Sequence, residues 1–511
     1  MNDVQDRWNL IFGLVSSAWS AVIALAVVPF FLRFLGIEAY GLIGFFIALQ
    51  AIFGILDMGL SATISREVAR CRGSGHPEEA RDLLHTLATI YWLMGFAIGI
   101  FVIVAAGPIA DHWLHDTAMP SAEVRGAIRL MGLIIALRWP VALYAGSLIG
   151  AGKLTHVSVI TILVSTITNV GAVLVLWLIK PTISAFFAWQ TLCTLAHVIG
   201  ICIIGWREIG GRRGAHFDKA GLKRIWRFSA GLSVAAIIGT IFMQSDKVIL
   251  ARIVPLAELG GYVLAGTVAR VLYIILTPTF NVIYPRMTAM LASGREDELT
   301  AYYRYGTRLL LAAIVPFSAF VAYFAHDLLL LWTGNAATAS RVAPLVPFMI
   351  AGTVLNGVMH FPYALQLASG RSRLPATINI ILLLMFIPML TYLASHYGIF
   401  GGAIAWALLN AGYVLIGTWL THRQILPGMG LRWLAYDVAF PVCALALITG
   451  AGATLASVAA TQIIPKLAIG AGFALLAGAF GALFCPPVLT YLRTIARRSA
   501  SSPNPSTSTS R

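Results

Sequence analysis

Arg138, Trp139 and Pro140 stand in the middle of Gly126–Ala151, a 26-residue run whose other members are almost all apolar or small. As a helix, a run of that length crosses a bilayer. An arginine at bilayer depth costs about 2.5–3.5 kcal/mol on insertion scales, so Arg138 is expected to face protein or a watery cavity, not lipid. Pro140 removes one backbone hydrogen bond and is expected to kink the helix. The same run also holds Arg129, and comparable apolar runs hold Arg33, Lys247 and Arg270, but only two acids lie fully inside such runs, Asp57 and Asp246. Cations at depth suit phosphates or acidic sugars, through charge-assisted hydrogen bonds. Arg138 and Arg270 lie deepest, whereas Arg33, Arg129 and Lys247 stand nearer the ends of their runs, where long side chains snorkel to the interface.

The uncharged and titratable candidates are read the same way. Asp57 is expected to pair with a cavity arginine, to cap the helix break at Gly59, or to exchange a proton during coupling. Asp246 neighbours Lys247 and is a second candidate for an ion pair or for coupling. His360, beside Phe361-Pro362-Tyr363, is a candidate proton or sugar site, set against a satisfied interhelical histidine. Trp139, Tyr144 and Tyr363 offer rings for stacking on sugars, set against ordinary packing. Asp111, His112, His115 and Asp116 are metal-ligand types. They share a short loop near an interface, and no metal site is expected there.

These residues require a membrane-spanning frame, and composition supplies it. Of 511 residues 59% are hydrophobic and 11% charged, with a mean hydropathy of +0.85. A soluble domain carries roughly a quarter charged residues, so the chain reads as an all-α polytopic membrane protein. The net charge of +15 reflects cations gathered on one side of the membrane, and no nucleic-acid partner is expected. Five scattered cysteines without a CxxC pair argue against a disulfide framework or zinc site, and no cofactor is expected. Met1–Leu10 is short and polar, and a cleavable signal peptide is not expected.

About fourteen spans follow from hydropathy. The first six are Leu10–Leu35, Tyr40–Ile64, Leu84–Ala106, Ala127–Ala151, Val157–Ile179 and Ile183–Gly205. The next six are Phe228–Ala251, Leu259–Tyr284, Leu309–Trp332, Val342–Ser369, Ile378–His396 and Gly401–Leu420. Asp437–Val458 and Leu467–Tyr491 complete the set. With both termini in the cytoplasm, only Arg125, Lys180, Arg252, Arg341 and Lys466 fall in outside loops, which fixes the orientation. The basic segment Arg207–Arg227 is then a cytoplasmic connection expected to touch anionic lipid head groups. The expected domains are a six-helix lobe over 1–205, a linker over 206–227, a second six-helix lobe over 228–425 and a helix pair over 426–492. A disordered cytoplasmic tail follows over 493–511.

An internal echo supports two pseudo-symmetric lobes. Tyr40–Gly44 and Tyr262–Gly266 match at an offset of 222 residues, and Pro140 and Pro362 match at the same offset, each preceded by an aromatic.

The run Phe30–Arg70 resembles the N-terminal signature of the bacterial polysaccharide transporters, the Wzx-type flippases of lipid-linked (O-antigen) oligosaccharide. The stretches 136–154, 244–266, 328–334, 361–370 and 398–415 agree with it. The resemblance implies the MOP-exporter fold of two alternating lobes. It also implies a sugar chain on undecaprenyl pyrophosphate as cargo, turned across the bacterial inner membrane for O-antigen, exopolysaccharide or capsule assembly. Polysaccharide polymerase and chain-length machinery are the implied partners. The implied work makes and breaks no bond. A lipid II flippase or a multidrug cation exporter of the same superfamily is the alternative. An exporter of cations would want buried carboxylates, and the first span has none. A membrane glycan polymerase or ligase is the second alternative. The longest outside loop, about 107–126, is too short for a catalytic domain.

Overall fold

The computed structural model describes residues 3–57, 59–114, 117–371 and 373–483, with side chains for all of these except 3–11, 14, 220, 224–238 and 242. The tail over 493–511, the end of the last expected span, His115 and Asp116 lie outside the described residues. Among those described there is helix and no strand. The principal helices are α1 (Asp3–Gly54), α2 (Leu60–Ser74), α3 (Pro77–Val104), α4 (Ser121–Gly150), α5 (Leu154–Leu178) and α6 (Ile183–Glu208). They continue as α7 (Lys219–Ile253), α8 (Leu256–Arg270), α9 (Tyr273–Ala292), α10 (Glu296–Tyr323), α11 (Ala325–Thr333) and α12 (Ala336–Val342). The last are α13 (Val346–Val358), α14 (His360–Ala368), α15 (Arg373–Gln424), α16 (Phe440–Ala459) and α17 (Ile463–Leu483).

Local sequence explains several helix starts. Pro77 occupies the first turn of α3, where its missing N–H is harmless, followed by Glu78 and Glu79 at the positive end of the dipole. Thr182 caps α6 by accepting from Ala185 N at 3.3 Å, and Asp218 caps α7 by accepting from Gly221 N at 2.8 Å. The lengths answer to the bilayer. Ten helices among the described residues are long and apolar enough to cross it, and α8 with α9 makes an eleventh as a bent pair. Part of the difference from fourteen lies in α1 and α15. Each runs to 52 residues, about 78 Å by the helical rise and more than twice the hydrocarbon thickness. Each is broken at a glycine with positive φ, Gly36 at 81° and Gly398 at 57°. Two expected spans therefore lie in each, one on either side of a hinge that only glycine adopts cheaply. Along α3, Phe101 and Val104 are 63% and 74% exposed, as lipid-facing side chains are and water-facing ones rarely are.

The chain forms two compact units that interleave along the sequence. The first comprises Met1–Thr267, Leu330–Val342 and Asn379–Ala405; the second comprises Val268–Leu329, Ala343–Ile378 and Trp406–Arg511.

In the first unit α4 is the central helix, packed against α2, α3 and α6. Its buried face includes Ile128, Met131, Ile135, Leu143 and Leu148. The two echoing segments meet directly. A Cβ on Gly41 would lie 2.3 Å from Leu256 O, and one on Gly260 would lie 2.0 Å from Ile37 O, so backbones touch there because small residues permit it. Tyr40 Oη lies 3.3 Å from Thr267 Oγ1 at the same crossing. The basic connection is strapped to the start of α3. Arg81 Nη2 donates to Gly214 O at 3.2 Å, His216 N to Asp82 Oδ1 at 2.9 Å, and Asp218 N to Thr86 Oγ1 at 2.7 Å.

In the second unit α10 is central, and α13, α16 and α17 pack against it. The helix pair at the end of the described chain is thus fastened to one helix of this unit.

The two echoing prolines behave differently. α4 continues as one helix through Pro140. At Pro362 the helix does break, between α13 and α14, with Met359 as the joint. Proline lacks the N–H that would bond residue 358, which is the last residue of α13.

Candidate functional site

Arg138 sits near the middle of α4. Its side chain is exposed. Its partner is Gln50, on the second half of α1. With the Gln50 amide turned so that its oxygen meets the guanidinium, that oxygen accepts from Nη1 at 2.9 Å and from Nε at 2.7 Å. Among the described residues no carboxylate lies in salt-bridge range of Arg138. A guanidinium offers five N–H donors, so the amide leaves three of them and the whole positive charge available. His197 on α6 lies within electrostatic reach of the same guanidinium.

Asp57 does not pair with this arginine. It ends a short turn between α1 and α2, where Oδ2 accepts from Ser61 Oγ at 2.9 Å and Oδ1 accepts from Tyr91 Oη. The N-terminus of α2 favours a carboxylate at that position, so hydroxyls and a helix dipole take the place of a cation. Tyr91 in turn lies 5.0 Å from Trp139, centroid to centroid. Trp139 is buried and donates Nε1–H to Phe53 O at 3.2 Å. It braces α4 against α1 and offers no open ring face.

Asp246 and Lys247 form a buried pair. Nζ donates to Oδ1 at 2.9 Å and to Oδ2 at 3.2 Å, and Tyr262 Oη donates to Oδ2 at 2.8 Å. Lys247 is 6% exposed, so it neither snorkels nor faces an open space. Arg33 is exposed near the end of the first half of α1.

In the second unit the candidates gather around other partners. Arg270 ends α8, where free carbonyls favour a cation, and its charge acts on Tyr273. Tyr273 Oη donates to Asn356 Oδ1 at 3.0 Å, and Asn356 Nδ2 donates to Asn410 Oδ1 at 3.0 Å. His360 and Tyr363 flank Phe280, at 6.0 and 5.5 Å between centroids. His360 Nδ1 lies 3.2 Å from Asn356 O, the tautomer in which Nδ1 carries the proton. This is an aromatic and amide surface with one cation beside it.

Three features are invisible in a reading of charges alone. Gln50 is a lone amide within an apolar run and is its own faint signal. Tyr91 becomes relevant only through Asp57. Asp437 lies at the start of an expected span and was not counted among the intramembrane acids. It is wholly buried and accepts from Arg304 Nε at 2.8 Å and from Arg308 Nε at 2.5 Å. Among the described residues no three metal-ligating side chains come together.

The comparisons with known proteins agree with this frame. The model of the polysaccharide biosynthesis protein family matches residues 8–291, and the MatE model matches residues 232–393. A Shigella flexneri protein named "Putative O-antigen transporter" is 24% identical over 421 residues, 81% of this chain and 97% of its own. Among solved structures, an inward-facing multidrug resistance MATE family transporter of the MOP superfamily superposes with a TM-score of 0.65 at 15% identity. That match covers 80% of this chain and 94% of the other. The lipid II flippase MurJ, in an inward closed conformation, gives 0.64 at 11% identity over 95% of this chain and all of its own. These relatives are transporters, and none is an enzyme. The chain belongs to the polysaccharide biosynthesis protein family and shares the helical fold of those solved structures.

Proposed function

We propose that this protein flips undecaprenyl-pyrophosphate-linked oligosaccharide from the cytoplasmic to the periplasmic leaflet of the bacterial inner membrane, by alternating access of two lobes. Both termini are cytoplasmic in this reading. The delivered sugar chain passes to polysaccharide polymerase and chain-length machinery for O-antigen, exopolysaccharide or capsule assembly.

The observation that carries the reading is Arg138. A cation held at depth by a neutral amide keeps its charge and donors for an anionic cargo. Phosphates and hydroxyls need such partners, because the hydrocarbon around them supplies none. The fold alone does not choose between exporters and flippases, since both give nearly equal superpositions. Charge supports the flippase reading, because a guanidinium without a carboxylate partner repels an organic cation and attracts pyrophosphate.

Deleting the gene tests the reading. Lipid-linked oligosaccharide is expected to accumulate on the cytoplasmic face while surface polymer disappears and drug sensitivity stays unchanged. Retained surface polymer together with new drug sensitivity would replace this reading with the exporter one.

A further inference from the structure

The first half of α1 ends at Gly36, and a pocket of about 570 Å³ opens beside that break. It lies wholly within the first unit, between residues 29–37 and residues 331–338. Arg33, Trp332, Thr333, Asn335 and Thr338 supply its polar wall, and apolar side chains such as Phe30 supply the rest. The volume is that of a ligand site rather than a packing defect.

Snorkelling accounts for the exposure of Arg33, but not for the company it keeps. No described carboxylate lies in salt-bridge range of it, and an indole, an amide and two hydroxyls share its pocket. Asn335 Oδ1 already accepts from Thr338 N at 2.9 Å, so the side-chain NH2 is what it has left to offer. Two other cavities lack this combination. One of about 310 Å³ has Arg308 among mostly apolar walls, and one of about 400 Å³ has Arg371 and Arg373 but no aromatic ring.

An indole face suits the C–H face of a sugar ring. Amide and hydroxyl groups suit its hydroxyls, and a guanidinium clamps a carboxylate or phosphate with two parallel bonds. We propose that this pocket binds an anionic saccharide, with Arg33 on the acid group and Trp332 beneath the ring. The inference rests on the flippase reading, whose topology opens the pocket on the periplasmic side, where a translocated sugar arrives. The acid group has two sources, the phosphate that links sugar to lipid or a uronic acid within the glycan.

The test is titration of the purified full-length protein in lipid nanodiscs with glucose 1-phosphate, glucuronic acid, glucose and inorganic phosphate. At least one anionic sugar should bind about tenfold or more tightly than glucose and than phosphate; which one does identifies the source. Arg33→Ala should erase that advantage, Arg33→Lys should keep part of it, and Trp332→Ala should weaken every sugar. Size-exclusion profiles matching the wild type establish that each variant is folded. Arg371→Ala should bind as the wild type does, because that residue lines a different cavity. Absence of sugar binding, phosphate binding as tightly as glucose 1-phosphate, or wild-type binding by Arg33→Ala would overturn the pocket. Surface polymer that still depends on Arg138 would then leave the flippase reading standing.

Discussion

The central helix of each unit carries arginine, but in different company. On α4, Arg138 meets the Gln50 amide and, among the described residues, no carboxylate in salt-bridge range. On α10, Arg304 and Arg308 converge on the buried carboxylate of Asp437. The second arrangement is a fastener, because Asp437 sits in the π-helical turn Trp433–Ala439 that leads into α16. Its one carboxylate is shared by two guanidiniums, and these contacts hold the final helix pair to α10. The first arrangement leaves a charge unmatched at depth, which is tolerable only where something else supplies the counter-charge. In the proposed reading, the contrast separates an arginine that builds the fold from one that serves a cargo.

The largest expected effect on stability falls on the fastener. Asp437→Ala strands two guanidiniums, but these are 45% and 28% exposed and recover some water. The loss is therefore about 2–3 kcal/mol, below the 3–5 kcal/mol of a fully buried pair. Membrane abundance and thermal midpoint should both fall, while transport per surviving molecule stays near normal. Unchanged stability would remove the distinction between the two arginine sites.

A smaller effect is expected on the other side. Gln50→Leu keeps the size of the side chain but removes both hydrogen bonds that aim Arg138. Transport should drop about tenfold at matched abundance, since a misaimed donor loses most of its value. Full transport by this variant would show that the amide does not position the guanidinium.

Much of this frame was legible in the sequence, for physical reasons. Apolar runs of spanning length reveal themselves through hydropathy, and the small residues Gly41 and Gly260 mark a close backbone crossing. What was hidden depends on tertiary context. Gly36 and Gly398 join expected neighbours into long broken helices, because glycine tolerates the hinge while the helix resumes at once. Pro140 and Pro362 look alike in sequence, yet only the second interrupts its helix. Asp57, for which an arginine partner, a cap at the Gly59 break or proton exchange are the expectations, accepts from Tyr91 and Ser61, and hydroxyls in apolar runs carry no hydropathy signal. The same offset of 222 residues places His360 opposite Arg138.

The smallest effect lies at the polar end of α2. Glu67 is 2% exposed, and burial alone would raise its pKa. Hydrogen bonds from Arg66 at 2.8 Å and Arg70 at 2.9 Å outweigh this and hold it below the ordinary carboxylate value. A lowered folded pKa means the contribution is present above the unfolded value and lost as pH falls through the folded one. Below pH 4.5, the ordinary value, the wild type should lose roughly 1–2 °C of thermal midpoint more than Glu67→Gln does. Identical pH profiles would show that this cluster adds nothing to stability.

Arg138 itself gives the most direct test of the central claim. Membrane abundance and surface polymer are measured together in one strain carrying wild type, Arg138→Lys or Arg138→Ala. The account predicts near-normal abundance for all three, partial polymer for lysine, which keeps the charge but not the fork, and none for alanine. Normal polymer from Arg138→Ala at normal abundance would contradict it.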